Sequence, residues 1–218
     1  MSDKKKYQRG TTPSGVAAWP RLTEPDRTFD PNGMYSVNLR LGAEEAESLI
    51  AVIDQAHTNQ VRTTLEELRK KSGNKAKVKE SEKPYRPVID EDGNETGEIE
   101  FKFKLKAVAG GKDRQWNQKP RLFDSKGKPL SSTIKIGSGS TIKVGYELFP
   151  YYVPSVGAGV SLRVLAVQVL ELVEFSSGSF KDFGFESESG YEAPAEEEVV
   201  ASDGGSAQAE EDVEDVNF

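Results

Sequence analysis

Short stretches of the chain alternate apolar and polar residues, the mark of strands half buried against a core. Val16, Ala17, Ala18 and Trp19 lead into Pro20, and Met34 to Leu41 sets Met, Val and Leu against Tyr, Ser, Asn and Arg. A turn at Asp30, Pro31, Asn32 and Gly33 divides these two strands. The alternation is strictest from Ile99 to Ala109: Ile99, Phe101, Phe103, Leu105 and Ala107 fall on one side, Glu100, Lys102, Lys104 and Lys106 on the other. That pattern predicts a strand with a basic outer face. Further strands are expected at Arg121 to Phe123, Ser131 to Ile136, Ser140 to Phe149 and Gly159 to Phe175, with breaks at Ser125 to Gly127 and at Gly137, Ser138 and Gly139. The apolar run from Leu162 to Val173 predicts a strand covered on both faces.

A period of three to four residues takes over between Ala43 and Lys71, where Ala46, Leu49, Ile50, Ile53, His57, Val61, Leu65 and Leu68 share one face. Glu44, Glu45 and Glu47 near its start and Arg69, Lys70 and Lys71 near its end suit the helix dipole, and Gly73 is a natural stop. His57 lies on the buried stripe and is the chain's one histidine, so it reads as a packed residue and not as a catalytic or metal group. The segment from Asn74 to Glu98 is rich in Lys, Glu, Pro, Asp and Gly and reads as a long flexible loop carrying Lys75, Lys77, Lys79, Lys83 and Arg86.

Five or more strands with one helix inserted early make a mainly β protein. The best match is an oligonucleotide-binding (OB) fold, a small barrel with one inserted α-helix, followed by a disordered acidic C-terminal tail. A sandwich stays open, because one sequence does not carry strand pairing. The expected organisation is a basic N-terminal arm over 1–14, an OB-like core over 15–180 and an acidic tail over 181–218. The arm, with Lys4, Lys5, Lys6 and Arg9, reads either as a contact to a polyanion or as an ordinary solvated terminus.

Charge changes the picture more than composition does. The net charge of −7 hides a segregation: 13 acidic residues and no Lys or Arg lie from Asp182 onward, leaving 29 basic against 23 acidic residues in 1–181, a net of +6. A basic core can bind phosphates by releasing condensed counterions, whatever the sign of the whole chain. The absence of cysteine excludes disulfides, thiolate metal sites and a cysteine nucleophile. No apolar run nears the roughly 20 residues that span a membrane, and Met1 to Gly10 does not lead into a signal peptide, so a soluble cytoplasmic protein is expected.

No catalytic set, cofactor site or metal site can be nominated. One histidine and no nucleophile elbow leave no triad. Gly137 to Thr141 lacks the Gly-Lys-Ser/Thr ending of a phosphate loop, and Asp90, Glu91 and Asp92 do not complete a calcium loop. The residues that carry chemistry are those of a single-strand binder, which needs a basic groove for phosphates and aromatic rings for bases. Trp116 lies among Lys112, Arg114, Lys119 and Arg121; Tyr151 and Tyr152 follow a strand; Tyr85 sits beside Lys83 and Arg86. The candidate DNA-binding set is Tyr151, Tyr152, Trp116, Lys102, Lys104, Lys106, Lys112, Arg114, Arg121, Lys83 and Arg86. In the tail, Asp212, Glu214, Asp215 and the terminal Phe218 form an acidic run closed by an aromatic. Such a run can occupy a basic groove as a mimic of DNA, or place Phe218 in an apolar, basic pocket of another protein.

The sequence resembles the single-stranded DNA-binding proteins of lytic short-tailed bacteriophages. The likeness rests on Ala17 to Pro20 followed by Glu24, Pro25 and Asp26; on Gly33 to Leu39; on Phe101 to Lys104; on Asp124 to Lys128; on Gly137 to Ser140; on Ile142 to Tyr146 leading to Pro150 and Tyr151; and on Val156 to Ala158. The resemblance implies an OB-fold protein that coats and anneals single strands in phage replication and recombination, in the cytoplasm of the infected bacterial host. It further implies a homodimer and a tail that contacts the phage DNA polymerase and helicase-primase. It matches Tyr151 to the family's base-stacking aromatic. The segment Asn74 to Glu98 and Trp116 depart from the family pattern, so their roles rest on chemistry alone. Two other classes stay in view: a phage interaction or structural protein whose tail is the active element, and a cold-shock-type RNA-binding module.

Overall fold

The computed structural model describes residues 7–111, 114–131, 133–174 and 186. The chain divides into two units, Met1–Ser177 and Gly178–Phe218, and the architecture below is that of the first. Lys4, Lys5, Lys6, Lys112 and the tail residues Asp212, Glu214, Asp215 and Phe218 lie outside the described residues.

In chain order the elements are β1 (Arg9–Thr11), β2 (Gly15–Asp26), β3 (Met34–Gly42), α1 (Ala43–Ser72), β4 (Tyr85–Ile89), β5 (Glu95–Lys106), β6 (Val108–Gly110), β7 (Gln115–Asn117), β8 (Arg121–Phe123), β9 (Thr141–Val153) and β10 (Gly157–Glu171). Five of them close a ring, β2–β3–β5–β10–β9 and back to β2. The β5–β10 pairing, Leu162 opposite Phe103, is parallel, and the other four are antiparallel. This is the closed five-stranded barrel of the OB fold, which settles the choice between barrel and sandwich. β1 adds to the edge of β9, with Arg9 opposite Glu147. Sheet structure therefore begins inside the segment read as an arm.

Alternation explains the barrel's filling. Val37, Leu39 and Leu41 of β3, Phe101, Phe103 and Leu105 of β5, and Ile142, Val144, Tyr146 and Leu148 of β9 point inward and are buried. On β3 the inward set begins at Tyr35, while Met34 is only half buried, the reverse of what the alternation suggests. The apolar run of β10 is not sandwiched between two layers. A bulge between Val164 and Ala166 shifts its phase, so Leu162, Val164, Val167 and Val169 face the core while Leu165, Ala166 and Leu170 are half buried outside.

The helix closes one end of the barrel with Ala46, Leu49 and Ile53. Its buried stripe continues through His57 and Thr64, whereas Val61, Leu65 and Leu68 are only half buried. Gly73, at φ 86°, ends it by donating its N–H to the Arg69 carbonyl. His57 is 3% exposed, and its Nε2 donates to the Ser81 carbonyl oxygen at 3.1 Å. It is the packed histidine that its position on the stripe predicts.

Two further expectations fail. The segment 74–98 is not one flexible loop: β4 and β5 form a hairpin around a turn in which Asp90 Oδ1 accepts from the N–H groups of Asp92 and Asn94. Ahead of it, Glu80 bridges Ala158 in parallel, with Ser81 N–H donating to Ala158 O and Ala158 N–H to Lys79 O. Residues 79–89 thus fill the space between β5 and the start of β10. The strand expected at Ser131 to Ile136 is replaced by a turn. Ser131 Oγ lies 2.8 Å from Thr133 Oγ1 and accepts the Thr133 N–H, the local competition that Ser and Thr offer to a ladder.

Candidate nucleic-acid interface

In OB folds the face of barrel strands 2 and 3, with the loops between strands 1 and 2 and between 4 and 5, receives oligonucleotides. Here those strands are β3 and β5, and the loops are 27–33 and 154–156. β5 presents Lys102, Lys104 and Lys106 outward, because each alternates with an inward Phe101, Phe103 or Leu105. Pairing sets Asn38 beside Lys102 and Ser36 beside Lys104 on one flank, and Arg163 beside Lys104 on the other.

A cleft of about 640 Å³ crosses this face, lined in part by Lys104, Lys106, Trp116, Phe149, Tyr151 and Arg163. A second, of about 610 Å³, shares Lys104, Tyr151 and Ser161 with it and continues to Lys102, Lys83 and Val156. The two form one path whose midpoint is Lys104 and Tyr151. Tyr151 is held from behind: Gln60 of the helix donates its Nε2–H to the Tyr151 carbonyl oxygen at 3.2 Å. Trp116, on the β6–β7 hairpin, is 52% exposed. Phe29, in loop 27–33, is 96% exposed.

Electrostatics along the path favours an anion. Desolvation depresses the Lys104 ammonium below its ordinary pKa, and the Lys102 charge adds to the effect. The negative charge of an arriving phosphate offsets both. Arg163 is likewise depressed by burial, against the opposing pull of Glu147. Its guanidinium carbon sits 3.3 Å from the centre of the Phe149 ring, and Tyr7 meets that ring edge-on at 5.2 Å. Neither Phe149 nor Arg163 stands out in the sequence, because each lies inside an apolar strand. Their one signal is a polar or aromatic residue in the outward register of β9 and β10.

The remaining candidate residues are distributed unevenly. Lys83 pairs with Asp54 at 2.9 Å, and Arg86 with Glu100 at 2.8 Å. The Lys83 charge is stabilised chiefly by its hydrogen bond to Asp54, which raises its pKa. Both cations are therefore already engaged. Glu100 departs from the basic outer face of this strand: it is 5% exposed, a buried carboxylate tolerated because Arg86 and Arg40 both meet it. Arg114 is exposed near Trp116. Tyr152 and Arg121 line neither cleft; Tyr152 alternates away from Tyr151, and Arg121 lies on β8 beside Ala166.

A closed OB barrel with a cationic, aromatic cleft on its binding face defines an oligonucleotide-binding protein. The chain belongs to the family described as the single-stranded DNA-binding protein of bacteriophage T7, whose model matches residues 16–172. It is 29% identical to the single-stranded DNA-binding protein of Enterobacteria phage T3 over 86% of this chain and 84% of that protein. It is 31% identical to that of Escherichia phage T7, over 76% and 74% of the two chains. Among solved structures it is similar to gp2.5, a single-stranded DNA-binding protein encoded by bacteriophage T7, at 28% identity and a TM-score of 0.65, covering 87% of this chain and 100% of that one. It shares its fold with the single-stranded DNA-binding protein of bacteriophage Enc34 in complex with ssDNA, at 15% identity and a TM-score of 0.51, over 76% of this chain and 88% of that one.

Proposed function

We propose that the protein binds single-stranded DNA with little regard to sequence, laying the strand along the cleft across β5, β10 and β9. The observation that carries this reading is the convergence of Lys102, Lys104, Lys106 and Arg163 with Tyr151 and Trp116 on one open face. The lysines neutralise phosphates and the rings stack on bases, a combination that tolerates any sequence because every base has a π face. Arg114 extends the basic surface beside Trp116, and Lys83 and Arg86 contribute if a phosphate displaces their carboxylate partners.

The family and the charge segregation support a role in phage DNA replication and recombination, coating and annealing single strands in the host cytoplasm. The same reading makes Asp212, Glu214, Asp215 and Phe218 a competitor for the groove and a docking element for the phage DNA polymerase and helicase-primase. A homodimer belongs to this proposal as well.

The test is fluorescence anisotropy of a labelled oligonucleotide with intact protein and with protein truncated before Glu186, across a salt series. Affinity should fall with salt, and truncation should strengthen binding. Tyr151→Ala should cost about 1 to 3 kcal/mol of binding. A truncated protein that holds duplex as tightly as single strands would defeat the proposal.

A further inference from the structure

We infer that Trp19 forms a second base-stacking subsite, outside the main cleft, for the same single strand. The inference rests on the single-strand reading above and extends its path onto β2.

Trp19 combines two costs that packing does not repay. Its backbone lies at φ 51°, in the left-handed region disfavoured for residues with a Cβ, and Pro20 follows it, a position where extended backbone is the norm. Yet its indole is 75% exposed. A strained residue persists where its surroundings over-determine it, commonly at a binding site. The surroundings here are a bulge and a clamp. Ala18 faces Asn38 and Arg21 faces Ser36, so Trp19 and Pro20 together stand opposite Val37 alone and are pushed out of the ladder. The Gly-Ser-Gly-Ser run holds the bulge. Ser138 Oγ accepts the Trp19 N–H at 3.0 Å, Gly139 N–H donates to Ala17 O, and Ala17 N–H donates to Ser140 O. The run that lacks a phosphate loop's ending serves instead to display a tryptophan.

The site's chemistry fits a nucleotide. Trp19 edges an open trough of about 210 Å³, with Pro20, Arg21, Lys135, Ile136 and Ser138 along its walls. Arg21 and Lys135 supply its cations. Glu24 also borders the trough, 3.8 Å from Lys135, but both side chains are well exposed and the pair is easily exchanged for a phosphate contact. The trough continues the main path: Arg21 stands opposite Ser36, which stands opposite Lys104. Two strand spacings, about 10 Å, separate Arg21 from the midpoint of the cleft.

The test uses full-length protein carrying Trp116→Phe, so that Trp19 is the sole tryptophan, titrated with oligothymidylates of increasing length. Saturation with a long oligomer should quench the Trp19 emission. In the native background, Trp19→Ala should weaken binding of long oligomers roughly 5- to 150-fold, the equivalent of one stacked base, with a smaller effect on oligomers that only fill the cleft. Trp19→Gly should bind as weakly as Trp19→Ala while unfolding at an equal or higher denaturant concentration, because glycine relieves the positive φ.

Unchanged emission and unchanged affinity, with Tyr151→Ala still weakening binding, would overturn the subsite and leave the cleft standing. Loss of stability in Trp19→Gly would make the indole a packing residue. Quenching that tracks protein concentration without DNA would assign the surface to self-association instead. Absence of DNA binding in the parent protein would remove the cleft and the subsite together.

Discussion

Replacing Lys102, Lys104 and Lys106 together by alanine is expected to weaken binding to single-stranded DNA about 100-fold at about 0.1 M salt, and to lower the slope of log K against log salt by about 2; the magnitude follows from about 0.7 per phosphate contact on single strands, for about three contacts. All three side chains leave the outer face of one strand, and the Lys104 ammonium, though partly desolvated, belongs to a residue on the solvent side, so little core packing is lost with them. A solvated basic face that touches no DNA would leave the slope unchanged. The same measurement on Lys83→Ala or Arg86→Ala should show a smaller change, because Asp54 and Glu100 already hold those cations and must release them first. A salt series for the triple variant and the two single variants separates free cations from engaged ones.

The second large effect concerns stability. Gly157→Ala is expected to destabilise the protein by about 2 to 4 kcal/mol, read as a lower midpoint in chemical denaturation with an unchanged m-value. Gly157 adopts φ 122°, and a Cβ there would lie 2.6 Å from the Lys79 carbonyl oxygen and 2.9 Å from the Ser81 nitrogen. Those atoms are backbone, so they cannot swing aside as a flexible side chain would. The segment that would be displaced, 79–81, is the one that His57 and Ala158 hold against β10. It leads directly into Lys83 at the edge of the cleft, so the variant should also lose some affinity.

Legibility in the sequence follows how local each determinant is. The helix and the strands around Val37 and Phe103 declare themselves, because their period is set by the burial of their own residues. β4 does not: Arg86, Pro87 and exposed Ile89 carry no alternation, and the strand exists only because β5 offers it an open edge. The parallel pairings of β10 with β5 and β8 join distant residues and leave no mark in either segment. The site divides in the same way. Lys102, Lys104, Lys106, Trp116 and Tyr151 are legible from residue type and register, and the fold brings them to one path. Phe149 and Arg163 are hidden, because a cation stacked on a ring needs two strands to be seen together. The burial of Glu100 is hidden in the sequence because its partners, Arg40 and Arg86, come from strands on both sides of it. The tail's acidic run and residues 1–6 of the arm fall outside the described residues.

β10 is the hub of the barrel, paired with β9 along one edge and with β5 and β8 along the other. It is also the last of the described strands in chain order. A ribosome making this protein therefore holds an unclosed sheet until residues 157–171 have emerged, with Phe101 and Phe103 lacking the strand that will cover them. The helix's own backbone hydrogen bonds are local and can form early, but its packing against β9 and β10, like the barrel, must await pairings across most of the chain, which are slow to form and expose apolar surface in the meantime. No translation product that stops ahead of β10 can contain the groove, so a premature stop there yields a chain prone to aggregation and not a weaker DNA binder.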